Sequence, residues 1–327
     1  MKAWQVTRLG EPEEVLELTE VPRPVPGPGQ LLVRVLAAAA NFFDALMIQG
    51  NYQVRPALPF TPGSELCGEV VEAGAGVTGF AVGDRVIGSA ALPYGAFAEY
   101  ALMDAPGAFA APAALDDAEA APFFVTYQTG WFGLHRRAHL VAGETLLVHA
   151  AAGGVGSGAV QLGKAAGARV IGVVGGPEKA AVARELGADV VVDRHAEDFV
   201  AVVKEVTGGR GADVVYDPVG GDAYTRSTKC IAFEGRIVIV GFASGIVPTA
   251  ALNHALVKNY SILGLHWGYY ARVDREAVVA CQAELTRLAD AGLIRTLVSE
   301  RLPLSGVPDA LRRLNAGSTT GRIVFRP

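Results

Sequence analysis

Residues 151–156, Ala151-Ala152-Gly153-Gly154-Val155-Gly156, have the types and spacing to hold a pyrophosphate. An apolar run at 145–150 leads in and Ser157-Gly158-Ala159-Val160-Gln161-Leu162-Gly163-Lys164 leads out, so the segment reads as strand, glycine turn and helix. A helix start offers unpaired N–H groups and a partial positive charge, and small residues in the turn let an anion approach them. Ala152, Gly153, Gly154, Val155 and Gly156 are therefore the expected cofactor contacts. Ala151 stands where G-x-G-x-x-G has its first glycine, so the motif needs its surroundings to support it.

The next strand argues for a particular dinucleotide. An NAD site usually places Asp or Glu about 20 residues past the turn, on the ribose 2′-hydroxyl. Here that strand ends Val173-Val174-Gly175-Gly176, with no carboxylate to repel a 2′-phosphate. Gly175 lies at the expected cofactor rim, Lys179 follows it, and Arg194 comes where the chain returns to the same rim. The two cations suit a phosphate dianion, Arg194 as a fork and Lys179 as a point charge, which predicts NADPH. Lys179 and Arg194 as solvated surface charges is the competing reading.

These residues must be positioned by alternating elements. Strand signals at 169–174, 190–193, 212–216 and 235–241 alternate with helical stretches at 177–186 and 197–206. Short β-branched runs separated by helices predict an α/β fold, a doubly wound parallel sheet with ligand beyond the carboxyl ends of its strands. Binding of a different phosphate compound is the alternative such a domain leaves open. The loop Gly241-Phe242-Ala243-Ser244-Gly245 falls at one of those carboxyl ends.

Before residue 122 the character changes. Strand signals at 1–9, 30–36, 69–72 and 85–87 are separated by Gly and Pro clusters, which predicts an irregular, mostly β domain. After 258 come a strand at 261–265, an amphipathic helix at 274–291, a short helix at 306–315 and a strand at 322–325. This tail is too small for its own core and is expected to return to the first domain. The division is then 1–122 with 259–327 around an inserted nucleotide domain, 123–258, with a cleft between them. Asp116 and Glu119 have capping-box spacing at the start of the connecting helix.

Composition narrows the class. With 327 residues, 51% hydrophobic, and a net charge of −5, the chain has material for two cores and no bulk signature of a nucleic-acid binder. No run approaches the roughly 18 apolar residues of a membrane span, and no basic-then-apolar leader opens the chain, so a soluble cytoplasmic protein is expected. Three widely spaced cysteines, Cys67, Cys230 and Cys281, fit a reducing compartment and no structural zinc. His135 and His139 lie four apart on an expected helix, but two ligands do not make a metal site. His149 reads as a buried residue and Cys67 as a packing residue.

Asn41-Phe42-Phe43-Asp44, Pro62-Gly63-Ser64-Glu65-Leu66-Cys67-Gly68, Val82-Gly83-Asp84-Arg85-Val86, residues 149–156 and residues 317–324 occur in this order along the chain. Together they resemble the medium-chain dehydrogenase/reductase superfamily over essentially the whole chain, and within it the zinc-independent quinone oxidoreductases related to zeta-crystallin. The resemblance implies a Rossmann domain inserted in a GroES-like catalytic domain. Zinc-dependent relatives carry Cys where Asn41 stands and His where Ser64 stands; Glu65 alone does not hold a metal. The four-cysteine lobe of those relatives is also absent from residues 88–100. Without a Lewis acid, an acceptor that is already electrophilic is expected, a quinone or a conjugated enone.

By the same resemblance, Asn41 lies near nicotinamide and substrate, Tyr52 lines the pocket, Thr126 sits beside the cofactor, and Gly241, Phe242, Ala243 and Ser244 border its nicotinamide half. Arg322 reaches the cofactor or is an idle edge-strand charge. Asn41 as a helix cap, Tyr52 as a packing aromatic and Thr126 as a helix-interior hydroxyl remain open. The expected function is NADPH-dependent quinone reduction by direct hydride transfer, with no metal. Reduction of an alkenal, enone or acryloyl thioester is one alternative, and a structural NADPH-binding role is another. The proton donor is left open. The expected partners are a small electrophilic acceptor and a second copy of the chain, the 261–265 strand pairing across a two-fold axis; no nucleic acid or membrane is expected. The aromatic stretch His266-Trp267-Gly268-Tyr269-Tyr270 suits a pocket or a partner contact.

Overall fold

A computed structural model describes residues 1–327. Two compact units divide the chain, Met1–Val125 with Arg295–Pro327, and Thr126–Ile294.

In the second unit six parallel strands lie in the order Val190–Asp193, Arg169–Val174, Thr145–His149, Ala212–Asp217, Ile231–Ile239 and Ser261–Gly264. In chain order that is 3-2-1-4-5-6, the doubly wound arrangement whose direction reverses between the first and fourth strands. Leu147, Ile171, Val173, Val192, Val215 and Ile237 bury the sheet against helices such as Phe199–Val206. Residues 259–294, expected with the first domain, belong here instead. Ser261–Gly264 pairs with Ile231–Ile239 from Arg236↔Ser261 to Ile239↔Gly264, so sheet hydrogen bonding carries the chain onward before it leaves.

The first unit pairs Lys2–Val6 with Leu16–Glu20 and builds a larger sheet around Gln30–Ala39. Gln30–Ala39 is flanked by Glu65–Ala73, longer than expected, by Tyr100–Asp104, and by Arg322–Arg326. Val298–Pro303 lies parallel to Arg322–Arg326, so the last strand is interior and not an edge. Phe97 meets Phe325 edge-on at 5.3 Å within the core. The Asp116 and Glu119 capping box forms in both directions, at 2.9 and 3.0 Å.

Further corrections follow from local geometry. The second part of the long connecting helix, Phe132–Arg137, has the wider π-type turn and ends at Arg137. His139 lies beyond it at φ 49°, so His135 and His139 do not share a helix face. The amphipathic helix runs Arg275–Asp290 behind an Asp274 cap, and Trp267–Val273 forms a separate helix.

Candidate functional site

In the second unit, Thr145–His149 passes through the glycine turn into the helix Gly154–Ala165. Gly153 is the N-cap and offers no side chain, which leaves first-turn N–H groups for an anion. The turn is tight: a Cβ at Gly156 would stand 2.1 Å from the Ala150 carbonyl oxygen. Thr126, on the helix Phe123–Trp131, packs against the same helix, its methyl 2.8 Å from where a Gly158 Cβ would lie. Its buried hydroxyl has no hydrogen-bond partner. A helix-interior hydroxyl bonded to its own backbone is therefore not what the structure has. An orphaned buried hydroxyl beside an uncapped helix start fits a polar cofactor.

Gly175 follows the strand Arg169–Val174, and a Cβ there would lie 3.1 Å from Arg194 Nε. Burial and then the neighbouring Arg194 charge lower the Lys179 pKa, so both cations gather at this rim. The sequence reading overlooked Asp193, whose Oδ1 accepts from Gly176 N at 2.8 Å and His195 N at 3.0 Å and shapes the rim loop. Gly241, Phe242, Ala243 and Ser244 follow Ile231–Ile239; Ala243 N and Ser244 N donate to Pro218 O and Val219 O, each at 3.0 Å. Asp217, also overlooked, accepts from Val219 N and Gly220 N and is fully buried.

The first unit holds the second group of residues. The register sets Ala39 opposite both Glu65 and Val324, and Ala40 N bonds Ile323 O, so Asn41, which follows Ala40, and Arg322, which precedes Ile323, meet at Glu65. Arg322 Nη2 donates to Asn41 Oδ1 and to Glu65 Oε2, both at 2.8 Å. Asn41 Nδ2 donates to Glu65 Oε2 at 3.1 Å, and Val125 N to Glu65 Oε1 at 2.6 Å. Arg322 is thus a buried ion-pair partner, correcting the edge-strand reading; its Nε is buried and has no hydrogen-bond partner. Burial pushes the Glu65 carboxyl above the usual range against the pull of Arg322.

Asn41 is the N-cap of the helix Phe42–Ile48 and is paired with Asp44 in a capping box, the Asp44 carboxylate accepting from Asn41 N at 2.9 Å. Ser64 Oγ donates to the other Asp44 oxygen at 2.6 Å. Tyr52 is half-buried and stacked on Phe43 at 5.4 Å, its pKa raised by burial and by the Asp44 charge. Sequence reading missed Asp44 as a candidate, although its first-turn position was in view.

Two bland readings hold. His149 is buried, paired with Ser227 Oγ at 2.8 Å, and pushed down to about 4 by burial and nearby arginines. Cys67 is buried with its thiol pushed up to about 12, which removes thiolate reactivity at neutral pH. No group of three His, Cys, Asp or Glu side chains stands close enough to hold a metal ion. No helix is long and apolar enough to cross a membrane.

Comparison with known proteins agrees with this layout. The family described as alcohol dehydrogenase GroES-like domain matches residues 27–113, and that described as zinc-binding dehydrogenase matches residues 154–283. A quinone oxidoreductase-like protein 2 homolog of Nematostella vectensis is 38% identical, over 91% of this chain and 82% of its own. The Escherichia coli quinone oxidoreductase, solved with NADPH, superposes with a TM-score of 0.92 at 33% identity, covering both chains fully. A phthioceranic/hydroxyphthioceranic acid synthase of Mycobacterium bovis is 32% identical over 95% of this chain, which spans 15% of that much longer protein.

Proposed function

The chain belongs to the quinone oxidoreductase-like branch of the medium-chain dehydrogenase/reductase superfamily, and from that premise we propose that this oxidoreductase reduces a quinone with NADPH. The observation that carries the reading is one rim of one sheet: an uncapped helix start at Gly153, and Lys179 with Arg194 gathered at Gly175, where an NAD site would have a carboxylate. Bound NADPH supplies the hydride, two electrons with one hydrogen.

The protein's part is placement and charge. Ala152 to Gly156 receive the pyrophosphate, Lys179 and Arg194 the 2′-phosphate, and the unpartnered Thr126 hydroxyl a polar group of the cofactor. Gly241 to Ser244 border the nicotinamide half. Asn41, held by Glu65 and Arg322, and Tyr52, supported by Phe43, orient the acceptor. Arg322 acts through Asn41, and its buried Nε keeps an N–H without a protein partner. Asn41 and Ser64 occupy the places of two zinc ligands in zinc-dependent relatives and do not make a metal site, so the acceptor must bring its own electrophilicity.

The chain is assigned as a cytoplasmic homodimer. Cys67, Cys230 and Cys281 are free and buried, as suits a reducing compartment. Ser261–Gly264 is an open sheet edge, preceded by the exposed Leu252, Leu256 and Val257 on the helix Leu252–Lys258. A second copy pairing there covers both features.

A second reading, reduction of a carbonyl-conjugated double bond, is favoured by the match to a segment of an acid synthase. Parallel assays of NADPH oxidation with a naphthoquinone and a 2-alkenal, against NADH, separate the two. Turnover of the quinone with NADPH is the expected result; preference for the alkenal favours the second reading. Tight NADPH binding with neither acceptor reduced would point to a structural role.

A further inference from the structure

We propose that Asp44 stores the proton that completes the reduction and releases it through the Ser64 hydroxyl. The proposal rests on the reductase reading and supplies what that reading lacks, a donor for the oxyanion that hydride addition leaves on the acceptor.

Asp44 is 1% exposed and receives two hydrogen bonds from neutral groups, Ser64 Oγ at 2.6 Å and Asn41 N at 2.9 Å. No cation touches it. Arg322, whose positive charge pulls the other way, has Nη2 committed to Glu65 Oε2 and to Asn41 Oδ1, and Glu65 adds a negative charge nearby. The helix Val307–Asn315 packs against the Asp44 helix, but its Asp309, Arg312 and Arg313 pair with one another and with Glu300. A buried carboxyl in these surroundings favours its neutral form. Burial raises it from 3.8 to about 7, so near neutral pH it both holds a proton and gives it up. Tyr52 joins the same electrostatic unit, since an ionised Asp44 makes its hydroxyl a weaker acid.

Ser64 is half-buried and links the sealed carboxyl outward. With Asp44 neutral, the proton sits on the oxygen facing Ser64, and the Ser64 hydrogen is free to turn away. After hydride and its two electrons reach the acceptor, the Ser64 proton moves to the acceptor oxyanion while the Asp44 proton moves to Ser64 Oγ. One O–H bond forms on the product, the Asp44 O–H bond breaks, and a carboxylate remains. Solvent returns a proton through the same hydroxyl. NADPH and the acceptor are the only redox reagents.

Two readouts test this. Infrared spectroscopy of the resting protein should show a protonated-carboxyl stretch that titrates near pH 7 and is missing in Asp44→Asn. Steady-state kcat should fall above about pH 7 in the wild type and drop roughly 10- to 100-fold in Ser64→Ala with little change in the NADPH KM. Ser64→Thr, which keeps a hydroxyl, should recover most of that loss. An Asp44→Asn or Ser64→Ala protein with wild-type kcat and pH profile overturns the relay. A wild-type protein that shows the infrared titration yet oxidises NADPH with no acceptor overturns the reductase reading instead.

Discussion

Replacing Arg322 with Met should destabilise the protein in a pH-dependent way. Glu65 is fully buried, and in the variant it keeps the donors Val125 N and Asn41 Nδ2 but loses its counter-charge. Breaking a buried pair from one side typically costs about 3–5 kcal/mol. The carboxyl has an escape, which is to take a proton, so the electrostatic part of the loss cannot exceed about 1.4 kcal/mol for each pH unit above its ordinary value. From 4.5, that ceiling is about 5 kcal/mol at pH 8 and about 1.4 kcal/mol at pH 5.5. The sign follows from linkage: the variant raises the folded pKa of Glu65, so its folded state holds more protons and its deficit grows as pH rises. Urea unfolding of wild type and Arg322→Met at both pH values measures it. Adding Glu65→Gln to the variant should recover much of the pH 8 loss, because the charge is gone. A deficit independent of pH, or a double variant no better than the single one, would show that the Glu65 charge does not depend on Arg322.

Three other outcomes are expected. Lys179→Ala with Arg194→Ala should weaken NADPH binding by roughly 10- to 100-fold in fluorescence titration and leave NADH nearly unchanged, since each charge-assisted contact contributes about 1.5–3 kcal/mol before solvent screening; equal losses for both cofactors would remove the 2′-phosphate assignment. Gly156→Val should abolish cofactor binding, because even a Cβ would stand 2.1 Å from Ala150 O, and binding at wild-type strength would show that this turn does not form the site. Leu256→Glu with Ile262→Lys should convert a dimer to monomers in sedimentation, whereas a dimer that persists would place the contact elsewhere.

The order of elements in 145–264 was legible because a buried parallel sheet demands short β-branched runs, and glycines mark the turn from the first of these strands into its helix. Residues 259–294 were misassigned for a related reason: which sheet Ser261–Gly264 joins is decided by backbone pairing with Ile231–Ile239, which leaves no trace in composition. Arg322 looked like an edge charge because its outer neighbour, Val298–Pro303, contains Ser299, Glu300 and Arg301 and does not read as apolar. The alternation of its exposure is the signal that reveals the strand. Asp44 stands in the sequence only as the last residue of a motif; the register that brings Ser64 and Glu65 beside it makes it a buried carboxyl.

The central claim is direct hydride transfer from NADPH. Single-turnover oxidation of NADPH by a naphthoquinone, with deuterium placed in turn on either face of the nicotinamide C4, tests it most directly. One label should slow the step, as expected when a C–H bond breaks on a cofactor held in one orientation, and the other should leave it unchanged. Oxidation that neither label slows, or no oxidation of bound NADPH by any acceptor, would contradict it.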